Sequence, residues 1–140
     1  MNEGFKGLVE VFSGRGRGKT SAALGVVLRA VGHGLRAHIV YFMKGDYPYG
    51  EREALAYLPN VTFACFGHSG FVDPMNIRQE ERDEARRALE EARRAMLSGD
   101  YELVVLDEVN VAVSFGLLDV EDVVRLIEER PQSGELILTG

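Results

Sequence analysis

Eight residues, Ser13-Gly14-Arg15-Gly16-Arg17-Gly18-Lys19-Thr20, place glycines, a lysine and a hydroxyl in one short stretch. They follow the apolar run Leu8-Val9-Glu10-Val11-Phe12 and lead into a helix-like run from Ser21 to Val31. Strand, glycine-rich turn, Gly-Lys-Thr and helix is the order that a triphosphate cradle requires. Backbone N–H groups of such a turn point inward at phosphate oxygens, and the helix N-terminus adds its partial positive charge. Lys19 can reach the outer phosphates, and the Thr20 hydroxyl can hold a Mg²⁺ that bridges them. The match to G-x-x-x-x-G-K-[ST] is displaced, because Ser13 stands where the first glycine belongs and Gly14 follows it. The rival dinucleotide fingerprint, G-x-G-x-x-G, fails because Lys19 occupies its third glycine position. The flanking strand and helix separate this loop from a glycine-rich turn of no consequence. The stretch from Gly14 to Ser21 reads as a nucleoside triphosphate site.

A second acidic motif lies downstream. Leu103-Val104-Val105-Leu106-Asp107-Glu108 is a buried-strand pattern that ends in two carboxylates. The reading puts this strand beside the first, with its acidic end facing the Mg²⁺ and its water shell. Glu108 could coordinate the metal or order a water, and Asp107 could bond Thr20 or the metal shell. Residue types alone leave that division open, and a strand simply leaving the core in two solvated acids is the plain alternative.

These motifs need elements to carry them. Strands are expected at Leu8 to Ser13, Ala37 to Met43, Val61 to Phe66, Leu103 to Asp107 and Glu135 to Thr139. Helices are expected near Lys19 to Val31, Glu51 to Tyr57, Arg78 to Leu97 and Val120 to Glu129. Continuous apolar strands separated by helices imply a parallel sheet covered on both faces, with ligands outside the carboxyl strand ends. Asn76 and Gln79 are spaced as an N-cap and its N3 partner. Ala85, Ala88, Leu89, Ala92, Ala95 and Met96 then form one apolar stripe. Asp83 with Arg87 and Glu90 with Arg94 are acid-to-base pairs four apart, as on the solvated face of an amphipathic helix. Asp119 is expected to cap the next helix, which Pro131 and Gly134 end.

Bulk properties narrow the class. A chain of 140 residues, 46% hydrophobic and 27% charged, is expected to form one globular domain. A net charge of −6 with interspersed signs argues against a nucleic-acid partner. No apolar run approaches a membrane span, Met1 to Lys6 has no signal-peptide layout, and the single Cys65 rules out an internal disulfide. A cytoplasmic protein is expected. His33 sits between two glycines and reads as a turn residue, His38 lies in a strand and His68 in a loop. No cysteine or carboxylate stands at ligand spacing around them, so zinc is not expected.

Two loops at carboxyl strand ends can shape a substrate site: Phe42 to Glu51, with Lys44, and Phe66 to Pro74. Exposed aromatics on glycine-hinged loops are natural walls for a large flat ligand, although Phe71 tucked into the core is an alternative. Here the chain resembles the P-loop type of corrinoid adenosyltransferase. Gly14-Arg15-Gly16-Arg17-Gly18-Lys19-Thr20 is similar to that family's G-x-G-[KR]-G-K-T variant. Further matching stretches are Arg29 to Gly34, Phe42 to Gly45 with Gly50-Glu51, Val104 to Glu108, and Leu136 to Gly140. The resemblance implies an α/β three-layer sandwich with a mostly parallel central sheet, a P-loop NTPase fold of the RecA-like kind.

It also implies a reaction. ATP donates its 5′-deoxyadenosyl group to Co(I) of a corrinoid, in adenosylcobalamin biosynthesis or salvage, and triphosphate leaves with Mg²⁺. Carried over, Gly14, Gly16, Gly18, Lys19 and Thr20 hold the triphosphate, flanked by Arg15, Arg17 and Ser21. Thr20 and Glu108 lie toward the metal, and Phe71 occupies the position of a side chain that helps the corrinoid lose its lower axial ligand. Beside these, the strand motif keeps Asp107 as a metal candidate, and the loop after the second strand keeps Lys44 and Glu51 near the substrates. A homodimer and an electron-donating flavoprotein are the partners implied. Asp73 stands where family members often carry a tryptophan. The family usually continues beyond Thr139-Gly140 with an Arg-bearing turn, a helix and a strand, so a single P-loop domain over residues 1–140 lacking that segment is expected. Two other readings stay open on the motifs: a non-catalytic or regulatory ATP-binding module, and a RecA-like ATPase or phosphotransferase, against which stand the lack of a clear base after the second strand and of an arginine finger.

Overall fold

The described residues of the computed structural model are 6–43, 50–67 and 71–140. Along them strands and helices alternate: β1 Val9–Phe12, α1 Lys19–Gly32, β2 Ala37–Tyr41, α2 Gly50–Leu55, β3 Val61–Cys65, α3 Gln79–Leu97, β4 Leu103–Asp107, α4 Val109–Ser114, α5 Val120–Glu128 and β5 Glu135–Thr139. β2 and β4 are buried at every position, as runs without a wet face must be. The five strands form one sheet in the order β1-β5-β4-β2-β3, and all four pairings are parallel. The expected α/β layering is therefore present, with the sheet wholly parallel.

Strand parity divides the core into two layers. Ile39, Tyr41, Leu103, Val105 and Ile137 pack with Ala23 and Val27 of α1 and Leu55 of α2. Val40, Phe42, Val104, Leu106, Leu136 and Leu138 pack instead with the apolar stripe of α3 and with α4 and α5. Successive strand residues face opposite sides. Asp107 and Thr139 thus share the parity of Val105 and Ile137, and face α1.

One expectation about topology fails. β4 does not lie beside β1, because β5 runs between them and pairs with both. The acidic strand end still faces the phosphate loop, but across an intervening strand. That inserted strand brings Thr139 into the site.

Local differences have local causes. Arg78, in extended conformation, holds the N-cap position of α3, so Asn76 lies outside the helix. The expected four-apart pairs are replaced by three-apart ones, Glu84 with Arg87 and Glu91 with Arg94, while Asp83 accepts from Gln79. Asp119 is the N-cap residue of α5, but its side chain makes no capping bond. α4 was not expected, because Val109-Asn110-Val111-Ala112-Val113 is rich in β-branched residues of modest helix propensity. Burial of Val109 and Ala112 in the α3-side core supplies what propensity lacks. His33 ends α1 as a turn residue: Leu35 N–H bonds Ala30 O at 3.0 Å, with Gly34 at φ 79°.

Candidate active site at the carboxyl ends of the strands

The glycine-rich loop leaves β1 at its carboxyl end and enters α1 through Gly18, whose φ of 106° an L side chain adopts only under strain. Gly14 has φ 131°. A Cβ on Gly14, Gly16 or Gly18 would meet no atom within 4 Å, so the space over the loop is open on all three. The Lys19 ammonium folds back across it and donates to the carbonyls of Gly14 at 2.9 Å and Gly16 at 2.8 Å. Arg15, Arg17 and Ser21 are exposed around the rim.

Beneath the loop is a chain of oxygens. The Thr20 hydroxyl donates to Asp107 Oδ1 at 2.9 Å. Thr139 Oγ1 donates to the same oxygen at 2.9 Å and accepts the Glu108 N–H at 2.9 Å. Asp107 and Thr139 are almost completely buried. Of the two roles open to Asp107, the bond to Thr20 is therefore realised in the structure. Glu108 is half-buried and left-handed, with φ 69°, at the sharp turn from β4 into α4.

Two further residues border this end of the sheet. Tyr41, in register with Asp107, is buried, and the Arg52 guanidinium lies 4.6 Å from its ring centroid. Burial raises the Tyr41 phenol well above its usual range, and the Asp107 and Glu51 carboxylates push the same way, so it stays protonated. Glu51 thus stands close to the site from the first turn of α2. Phe71 is 103% exposed, which excludes the core-anchor reading. Lys44 and His68 lie outside the described residues.

The structure brings together Lys19, Thr20, Asp107 and Glu108. Sequence reasoning missed Thr139, Tyr41 and Arg52. Thr139 carried a signal: it ends the run Leu136-Ile137-Leu138 as Asp107 ends its own. A broad groove of about 520 Å³, lined by Phe66, Arg86, Arg87, Glu90, Glu91 and Arg94, lies along α3, a helix that packs in the layer facing away from α1.

The donor set suits Mg²⁺. Among the described residues no three His, Cys, Asp or Glu side chains are arranged to hold a metal. A hydroxyl and carboxylates beside an open phosphate loop are the oxygen ligand types that such an ion prefers.

Comparison with known proteins agrees with this geometry. A family model for ATP:corrinoid adenosyltransferase BtuR/CobO/CobP matches residues 5–140. A corrinoid adenosyltransferase of Escherichia coli K12 is 37% identical over 136 residues, which is 96% of this chain and 68% of that protein. The corrinoid adenosyltransferase of Pseudomonas aeruginosa is 36% identical, over 96% of this chain and 66% of its own length. The Salmonella typhimurium protein named corrinoid adenosyltransferase CobA is 35% identical, over 96% and 68%. With its phosphate loop, acidic strand end and parallel sheet all within the matched span, the chain belongs to the ATP:corrinoid adenosyltransferase family.

Proposed function

We propose that the chain transfers the 5′-deoxyadenosyl group of ATP to the Co(I) of a corrinoid and releases triphosphate. The observation that carries this reading is the family match over residues 5–140, and the Thr20–Asp107 hydrogen bond beside the open phosphate loop with Lys19 supports the nucleotide site that it requires. In the reaction the cobalt lone pair forms the Co–C bond to the ribose 5′ carbon. The C–O bond to triphosphate breaks, and its electron pair leaves on the triphosphate oxygen. Since the nucleophile belongs to the corrinoid substrate, the protein needs no catalytic Ser, Cys or His.

Each residue then has a defined task. Backbone N–H groups of Gly14 to Thr20 and the Lys19 ammonium hold the triphosphate and stabilise the charge gathering on it. To meet it, Lys19 exchanges the Gly14 and Gly16 carbonyls for phosphate oxygens. Thr20 donates a hydrogen bond to Asp107, which leaves the lone pairs of its hydroxyl for a cation. Mg²⁺, held by Thr20 and the Asp107–Glu108 pair, would supply neutralising charge to the leaving group. Phe71, exposed after β3, offers an apolar wall to the corrinoid. A homodimer, a flavoprotein electron donor and a cytoplasmic setting complete the reading, and the family resemblance supports them.

The test is anaerobic mixing of the protein with MgATP and chemically reduced corrinoid, following the Co(I) absorbance band. Conversion to an adenosylcorrinoid spectrum with free triphosphate, abolished in Lys19→Ala, is expected. ADP as product would sink the proposal, as would ATP binding with no change at cobalt.

A further inference from the structure

We infer that Thr139 is a positioning residue for the acidic pair, and that its hydroxyl sets the Mg²⁺-dependent part of ATP binding. This rests on the function proposed above and adds to it a residue outside both nucleotide motifs.

Thr139 ends β5, the strand standing between the phosphate-loop strand β1 and the acidic strand β4. Its main chain is aligned with Phe12, the last residue of β1, and the next N–H, of Gly140, bonds Phe12 O at 3.1 Å. Its side chain reaches the other way, to Asp107 Oδ1 and to the Glu108 N–H, each at 2.9 Å. One residue therefore ties the root of the phosphate loop to both acids.

The two bonds act on different atoms. The donated bond fixes one carboxylate oxygen of Asp107, the oxygen that also accepts from Thr20. The accepted bond holds the N–H of Glu108, whose left-handed backbone at φ 69° is unfavourable for a side-chain-bearing residue and needs its surroundings to maintain it. A valine at 139 keeps the volume and the branch, but neither donates to Asp107 nor accepts from Glu108. The buried Asp107 then loses the hydroxyl donor that Thr139 supplies, and the Glu108 N–H loses the Thr139 oxygen. A serine keeps both bonds. Lys19 and the loop glycines make no bond to Thr139, so contacts to the phosphates without metal are left intact.

The experiment is calorimetric titration of ATP into the full chain, in Mg²⁺ and in chelator, for wild type, Thr139→Val, Thr139→Ala and Thr139→Ser, with melting curves for each. For Thr139→Val and Thr139→Ala the Kd for ATP in Mg²⁺ should rise about tenfold, with the Kd in chelator unchanged, as expected for lost hydrogen bonds to charged or strained groups. Thr139→Ser should restore the wild-type ratio. Equal loss with and without Mg²⁺, no loss at all, or failure of both variants to fold would each overturn the inference. Wild-type protein that binds no ATP in either buffer would instead overturn the function beneath it.

Discussion

Lysine and arginine carry the same charge, but they present it with different geometry at position 19. The Lys19 ammonium bonds two carbonyls of the loop, on Gly14 and Gly16, from a single compact head. A guanidinium is planar and forked, with fixed bond directions, so it does not reproduce the convergence of one compact head on those two carbonyls. Lys19→Arg is therefore expected to weaken ATP binding about as far as Lys19→Ala, by at least tenfold or so, the scale of charge-assisted hydrogen bonds. Titration of MgATP into both variants checks this, and near-wild-type affinity in Lys19→Arg would show that charge alone suffices. Lys19, Thr20 and the two acids were legible in the sequence because their spacing is local: a turn and a strand end each announce themselves within a few residues. Thr139 and Tyr41 were not. Thr139 is a single residue ending an apolar run and Tyr41 is one residue inside another, and what joins them to Asp107 is strand order and parity, which no local window contains. Arg52 was hidden for a related reason, since α2 must first fold over the sheet to set it on Tyr41.

At the scale of elements, the position of the phosphate loop depends on how β1 docks on β5. Gly7 lies so close to Gly134 that an added Cβ would come within 2.2 Å of its carbonyl oxygen. Its N–H bonds Gln132 O at 2.9 Å, and Arg130 donates to the carbonyls of both Gly7 and Gly134. Nothing flexible can give way there, because the opposing atoms are backbone. Gly7→Ala should cost about 1–3 kcal/mol, the usual range for overpacking, and lower the melting temperature by roughly 3–10 °C. Because β1 carries the loop, ATP affinity should fall in the same variant. A melting curve superimposable on the wild type would disprove the close approach. The strand cores were legible from their unbroken apolar runs, and their edges shifted by a residue or two: β2 ends at Tyr41 rather than Met43, which adopts φ 69°. α4 was illegible because its valines favour strands, and only packing against the sheet makes it helical. The adjacency of β4 and β1 was misread because nothing in either run records that β5, far along the sequence from β1, inserts between them.

At the scale of the whole molecule, the sheet separates a site on the α1 side from a polar cluster around the buried His38 on the α3 side. His38, 4% exposed, has the parity of Val40 and faces α3. Its Nε2 meets Glu91 at 2.7 Å, its Nδ1 meets Thr62 Oγ1 at 2.6 Å, and its ring stacks on Tyr101 at 5.0 Å. Burial lowers its pKa below the ordinary 6.5, despite the upward pull of Glu91, and Arg94 adds to the lowering. The folded chain therefore resists protonation at a pH where the unfolded chain accepts it. Between 6.5 and the lowered value the unfolded state binds more protons, so stability falls as the pH falls through that window. Glu91 contributes in a separate, more acidic range. Its bond to Arg94 and its contact with His38 hold its pKa below 4.5, so its stabilisation is lost as the pH drops through and below that value. The melting temperature of the wild type should decline from about pH 7 to pH 5, as protonation linkage requires. In His38→Gln, which keeps polar atoms but cannot titrate, that segment of the profile should flatten, while the decline at more acidic pH persists through Glu91. Parallel profiles for the two proteins over the upper window would mean that the acid sensitivity arises elsewhere. Since His38 and the phosphate loop lie on opposite faces of one sheet, ATP affinity at about pH 7.5, above both windows, should be the same in His38→Gln and in wild type, which separates a loss of fold from a loss of site.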